Sequence, residues 1–123
     1  MIRRVPCPSP INHQTENEVE DQIVTFLRRE GWIVRRQHSG LYYTADGRPV
    51  RIGEVGECDW RAMRAKAGGY VEYMEIEVKA TKKRPGKAQR QYIAKRRHQG
   101  FFACWTDSLS MLQDYMREVG LLW

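Results

Sequence analysis

The stretch Tyr70–Lys79 limits the possible folds more than any other part of this 123-residue chain. It follows the turn pair Gly68-Gly69 and precedes the break Pro85-Gly86. Towards its end Met74, Ile76 and Val78 alternate with Glu75, Glu77 and Lys79. A period of two is the signature of a strand, here with a buried apolar face and a charged face. If the strand is central, two carboxylates and an ammonium share one side of it. Unpaired buried charge is costly, so something must compensate.

The elements around this strand are legible from spacing and punctuation. Residues 1–14 hold Pro6, Pro8 and Pro10 and read as an extended N-terminal arm, leaving 15–123 as one domain. Thr15-Glu16-Asn17-Glu18 has a capping-box pattern. Val19, Ile23, Phe26 and Leu27 follow at helical spacing and Gly31 closes the element, which predicts a helix over about 16–30. Residues 32–36 are β-prone. Leu41–Tyr43 and Val50–Ile52 flank an Asp46-Gly47 turn signal. A further strand is expected over about 58–63, paired through Gly68-Gly69 with the alternating strand. Lys87–Gln99 reads as a helix and Phe101–Trp105 as a buried strand. A final helix, capped by Thr106 or Asp107, turns Leu109, Leu112, Tyr115, Met116 and Val119 inward. The expected fold is α/β: helices on either side of a mixed central sheet.

Charge is unevenly placed. Lys and Arg total 21 against 15 acids, a net charge of +6. No acid occurs from Val78 to Thr106, whereas nine bases lie between Lys79 and Arg97. Without acids at i,i+4 these bases repel one another, and phosphate is the obvious counter-charge. A solvated helix face is the alternative reading of such a run. The longest apolar runs are only a few residues, so a spanning helix is excluded. With no apolar signal core and three cysteines lacking a CxxC pair, a reduced, cytoplasmic setting is expected.

The chemistry-bearing residues cluster near the end of the alternating strand. A hairpin pairing would bring Asp59 beside Glu77. Paired carboxylates with a main-chain carbonyl are the oxygen ligands Mg²⁺ prefers. Lys79 beside them could balance charge developing on a phosphate. An ordinary cross-strand surface pair is the alternative for Glu77 and Lys79.

Asp59, then Glu77-Val78-Lys79 on the next strand, then a helix carrying Gln89, resembles the PD-(D/E)XK nuclease superfamily. Gly56-Glu57-Cys58-Asp59, the strand Tyr73–Ala80, Gln89 and Gly100 are similar to its VRR-NUC branch, with Cys58 where that branch usually has Pro. Val19–Val24, Leu27, Gly31 and Ser39-Gly40 are also similar to archaeal-type Holliday-junction resolvases. The resemblance covers about residues 16–106. It implies a restriction-endonuclease-like α-β-β-β-α-β core and a Mg²⁺- or Mn²⁺-dependent DNA endonuclease. By the same resemblance Asp59 and Glu77 are metal ligands with the Val78 carbonyl, and Lys79 is the catalytic lysine. Glu20 is the carboxylate from the first helix, and Gln89 supports the site.

The residue pattern alone leaves Glu20 either a site carboxylate or a solvated acid; Glu16 and Glu20 both border the apolar stripe of their helix. Glu75 is the next candidate for the metal site. Lys82, Lys83, Arg84, Lys87 and Arg90 are the candidate backbone-phosphate contacts, and His38 is a lesser one. Cys7/His13 and His98/Cys104 could pair on zinc, but neither pair makes four ligands. Trp32, Trp60 and Trp105 read as core aromatics, and Trp123 as an interface residue or a frayed end. The functional expectation is a structure-selective endonuclease of phage or mobile-element type, acting on duplex or branched, Holliday-junction-like DNA. A homodimer would supply two symmetric cuts at a junction. A non-catalytic basic nucleic-acid-binding module is the alternative, and nothing in the sequence separates DNA from RNA.

Overall fold

The computed structural model describes residues 13–38 and 40–123. The arm up to residue 12, Cys7 and Ser39 lie outside the described residues. In chain order the elements are α1 (Glu16–Arg29), β1 (Ile33–Arg36), β2 (Gly40–Tyr43), β3 (Pro49–Ile52), β4 (Trp60–Lys66), β5 (Tyr70–Val78), α2 (Lys87–His98), β6 (Phe102–Thr106) and α3 (Leu109–Glu118). The main sheet runs β1-β4-β5-β6, while β2 and β3 form a two-stranded sheet of their own. Strand β5 pairs antiparallel with β4 and parallel with β6. Leaving out the β2–β3 ribbon, the order is α-β-β-β-α-β around a mixed sheet, the expected architecture.

Local chemistry explains the helix boundaries. The Thr15 hydroxyl accepts from the Glu18 backbone N–H and caps α1, satisfying a donor the helix would otherwise leave orphaned. The final helix is capped by Ser108, which accepts from the Met111 N–H, and not by Thr106 or Asp107. Both expected caps are engaged elsewhere: Thr106 bonds the Ser108 backbone, and Asp107 accepts from the Lys82 N–H. The β4–β5 hairpin turns at Gly68 and Gly69, both at φ above +80°, a backbone region glycine enters without a Cβ penalty.

The alternation along β5 sorts residues into two layers, but both are covered. Met74, Ile76 and Val78 pack beneath α1 and α3 with Val19, Ile23, Leu27, Leu112 and Met116. Truncating any of the large members to Ala would cost about 2–5 kcal/mol. The opposite face lies under α2, where Cys58, Tyr92, Ile93 and Ala103 form a second cluster. Glu75 and Glu77 are therefore buried, each 1% exposed. The charged face of this central strand is thus enclosed, and helix α2 is the element that covers it. Strand β4 starts at Trp60, so Asp59 sits in the bend just before it.

The outer edge of β6 is blunted at Ala103. Its N–H donates to the Tyr115 hydroxyl, and its carbonyl accepts from Arg97. Occupied edge groups cannot template pairing with another strand. Among the described residues no helix is long and apolar enough to cross a membrane.

Candidate metal and phosphate site

Strand register brings the first pair of candidates together. Trp60 pairs with Ile76, so Asp59 falls opposite Glu77 at the end of the hairpin. The Asp59 N–H donates to the Glu77 carboxylate at 3.1 Å. Lys79 Nζ lies 3.3 Å from the other Glu77 oxygen, and Gln89 Nε2 donates to that same oxygen at 2.7 Å. Gln89 also accepts from the Gly86 N–H. It therefore links the start of α2 to the strand end. Val78 ends β5 with its side chain in the apolar core.

Helix α1 supplies the other carboxylates. Oxygens of Glu16, Glu20 and Asp59 all lie within 4.8 Å of one another. One Glu20 oxygen receives Arg36 NH1 at 3.1 Å; the other is buried with no hydrogen-bond partner among the described residues. The cluster thus holds Glu16, Glu20, Asp59 and, through Asp59, Glu77, against two cations, Arg36 and Lys79. Fully ionised, it carries two negative charges in excess.

Electrostatics register the crowding. Burial, and then the Asp59 charge, push the Glu77 carboxyl up to about 8 despite the opposing Lys79. Asp59 is also raised, chiefly by burial, while its side-chain hydrogen bond with Glu77 pulls the other way. Both members of the pair are thus held above the ordinary carboxylate range. Glu16 is raised by burial and by the charges of Asp59 and Glu20. Such mutually crowded carboxylates favour a proton or a cation.

The donor set fits Mg²⁺ or Mn²⁺. It is all oxygen, it has excess negative charge, and a buried Glu20 oxygen lacks a donor among the described residues. Zinc-type sites favour nitrogen and sulfur. The nearest sulfur is unsuitable: burial and adjacent carboxylates hold the Cys58 thiol protonated, its pKa strongly raised. Cys104 is raised too, by burial, to about 12.

Gly56 fixes how the Asp59 segment meets α2. It has φ +79°, and a Cβ there would lie 2.3 Å from the Ala88 carbonyl oxygen. The segment 56–59 abuts the first turn of α2, which carries Gln89, only because position 56 has no side chain. Gly56→Ala is expected to destabilise the fold by about 1–3 kcal/mol through overpacking, before any strain from the positive φ. Urea denaturation should show a lower midpoint with an unchanged m-value.

Other candidates separate from this cluster. Glu75 does not join it: Tyr92 donates to one oxygen at 2.6 Å and Arg96 lies 3.3 Å from the other. Lys82, Lys83, Arg84, Lys87 and Arg90 are all exposed. The first four form no ion pair among the described residues, whereas Arg90 donates to the Pro85 carbonyl. His38 is exposed, as is His13. Trp32 is buried, Trp60 and Trp105 are half-buried, and Trp123 is fully exposed.

Arg36 is the site residue that sequence reading missed. Its position opposite Trp60 depends on the β1–β4 register, for which the sequence offers no local signal. The Tyr92–Arg96 pair that neutralises Glu75 was missed for a similar reason, although Tyr92 and Arg96 stand at i,i+4 on one helix face. Comparison with protein-family models, curated proteins and solved structures finds no match for the chain.

Proposed function

We propose that this protein is a Mg²⁺- or Mn²⁺-dependent nuclease that hydrolyses phosphodiester bonds in DNA. The observation that carries this reading is one juxtaposition: Asp59 and Glu77 side by side, with Lys79 and Gln89 on Glu77 and the α1 glutamates facing Asp59. The resemblance to PD-(D/E)XK nucleases rests on the same residues.

Asp59 and Glu77 would hold the metal with the Val78 carbonyl, and Glu20 stands ready from α1. Bound there, the ion would polarise the phosphodiester and lower the pKa of a neighbouring water. Lys79 is one-fifth exposed, so its ammonium can reach a phosphate oxygen and balance charge that develops there. Gln89 restrains Glu77, and Arg36 restrains Glu20. Lys82, Lys83, Arg84, Lys87 and Arg90 would contact the backbone and set orientation without reading sequence. A compact domain with few base-reading elements suits recognition of DNA shape, and a twofold dimer would cut a four-way junction symmetrically.

The test is cleavage of linear, nicked, flap and four-way DNA with Mg²⁺, Mn²⁺ or EDTA. Cleavage is expected only with a divalent ion. Undiminished cutting in excess EDTA, or tight DNA binding with no cutting under any metal, would overturn the reading. The second result would instead assign a non-catalytic DNA-binding module.

A further inference from the structure

The β2–β3 ribbon has no role in the cluster described above, yet it concentrates the exposed apolar side chains of the fold. Leu41, Tyr42, Tyr43, Val50 and Ile52 are between 43% and 67% exposed. Paired residues in an antiparallel ribbon share a face. Tyr42 with Val50 therefore occupies one face, and Tyr43 with Pro49 the other. An isolated two-stranded ribbon is marginally stable in water, and one that is apolar on both faces calls for a partner on both.

Charge and position indicate the partner. From Gly31 to Gly53 the only acid is Asp46, against Arg35, Arg36, Arg48 and Arg51. Asp46 is paired with Arg48, while Arg35 and Arg51 have no ion-pair partner among the described residues. Two copies of so basic a segment would repel, whereas a polyanion would be drawn in. The ribbon also springs from the carboxylate cluster. The Gln37 N–H donates to the Asp59 carbonyl at 2.6 Å, and Arg36 precedes Gln37.

We infer that the ribbon is a wedge for a DNA branch point, with Tyr42 and Tyr43 each stacking on the end of a different helical arm. This rests on the nuclease reading and names the part of the chain that would recognise a branched substrate. With its side chains the ribbon is about 10 Å thick, roughly three times the rise between stacked bases. It cannot enter an intact duplex without breaking the stack. A branch point already offers open base faces on two sides, and stacking on tyrosine is indifferent to base identity.

The experiment uses the full chain carrying Glu77→Gln, so that binding is read without cutting. Four-way, flap and linear DNAs carry 2-aminopurine at the branch or at the matching linear position. The parent should bind branched DNA in preference to linear and change 2-aminopurine fluorescence only at the branch. Adding Tyr42→Ser and Tyr43→Ser should reduce that preference by roughly tenfold or more and abolish the fluorescence change. Tyr42→Phe with Tyr43→Phe should preserve both, and matching thermal melts show that the fold is intact. Equal preference and fluorescence in the serine pair would overturn the wedge, as would an unchanged preference with a switch from dimer to monomer on sedimentation. Cleavage by the unmodified chain, measured in parallel with Mg²⁺, separates the two readings. Tyrosine-dependent branch preference without cleavage retires the nuclease alone. Cleavage without tyrosine dependence retires the wedge alone, and a chain that neither binds nor cuts DNA retires both.

Discussion

Asp59→Asn is expected to abolish cleavage and, in the absence of metal, to make the protein more stable. The loss follows from its place between the α1 glutamates and Glu77. On the proposed reading, a divalent ion would be held poorly without that ligand, and the several kcal/mol it would supply correspond to at least about a hundredfold in rate. Glu77→Gln and Lys79→Ala should fail similarly. All three should keep most of their DNA affinity, because the proposed phosphate contacts are exposed Lys and Arg side chains elsewhere.

The stability gain has a definite pH dependence. In the folded, metal-free protein Glu77 keeps its proton until about pH 8, through burial and then the Asp59 charge. In the unfolded chain it loses that proton near 4.5, the ordinary glutamate value. Between those values the native state binds more protons than the unfolded state, so stability falls as pH rises. Removing the Asp59 charge should make the fall shallower, while burial leaves part of it in place. Denaturation in EDTA at pH 5 and pH 8 reads this directly. Equal losses in wild type and Asp59→Asn would mean that the two carboxyls do not interact. A group whose removal stabilises the fold while ending activity is retained for function.

How much of this was legible beforehand depended on whether the signal was local. Helix α1 could be read because its cap, its Val19/Ile23/Leu27 stripe and its closing glycine all lie within one short segment. The Asp59–Glu77 pairing was accessible because the two residues are joined through a single hairpin with glycines at its turn, which left few registers. Coverage of the β5 charged face was not accessible. The basic sequence of α2 reads as solvated, and only Tyr92 and Ile93 of this helix are buried. Their small apolar contribution hides the fact that the helix shields Glu75 and Glu77. The separate β2–β3 sheet was equally hidden. Its strands have the same β-prone composition as the others, and which strand joins the main sheet is decided by tertiary pairing.

Arg36 illustrates the remaining gap in the candidate site. As one of two adjacent arginines at a strand end, it has no local feature that distinguishes it from Arg35. Alternation places them on opposite faces; both are exposed, but Arg36 meets Glu20 and the Trp60 ring, whereas Arg35 forms no ion pair among the described residues. The deciding quantity is the β1–β4 register. A carboxylate cluster assembled from α1, the Asp59 bend and the end of β5 needs that register, the hairpin and the α1 packing to be correct together.

Neutralising Lys82, Lys83 and Arg84 together should produce the converse of Asp59→Asn. DNA affinity should fall for every sequence alike, while cleavage at saturating DNA persists. These residues follow the strand end directly, and Lys82 holds a positive φ of 66°. The Asp107 carboxylate accepts from the Lys82 N–H and pins the loop, whereas the three cationic side chains are exposed and form no ion pair among the described residues. Such groups release counterions from a phosphate backbone, and each contact contributes roughly 0.9 to the slope of log K against log [salt] on duplex DNA. Losing three should therefore flatten the slope by up to about 2.7. Titrations at several salt concentrations in the Glu77→Gln background measure affinity and slope together. An unchanged slope would identify the run as a solvated face. A change limited to one DNA sequence would mean that these residues read bases. A uniform loss with a flatter slope is the expected outcome, because the loop from Lys79 to Gly86 carries no Asn, Gln or aromatic side chain to read base edges, while three exposed cations just past Lys79 suit a phosphate chain.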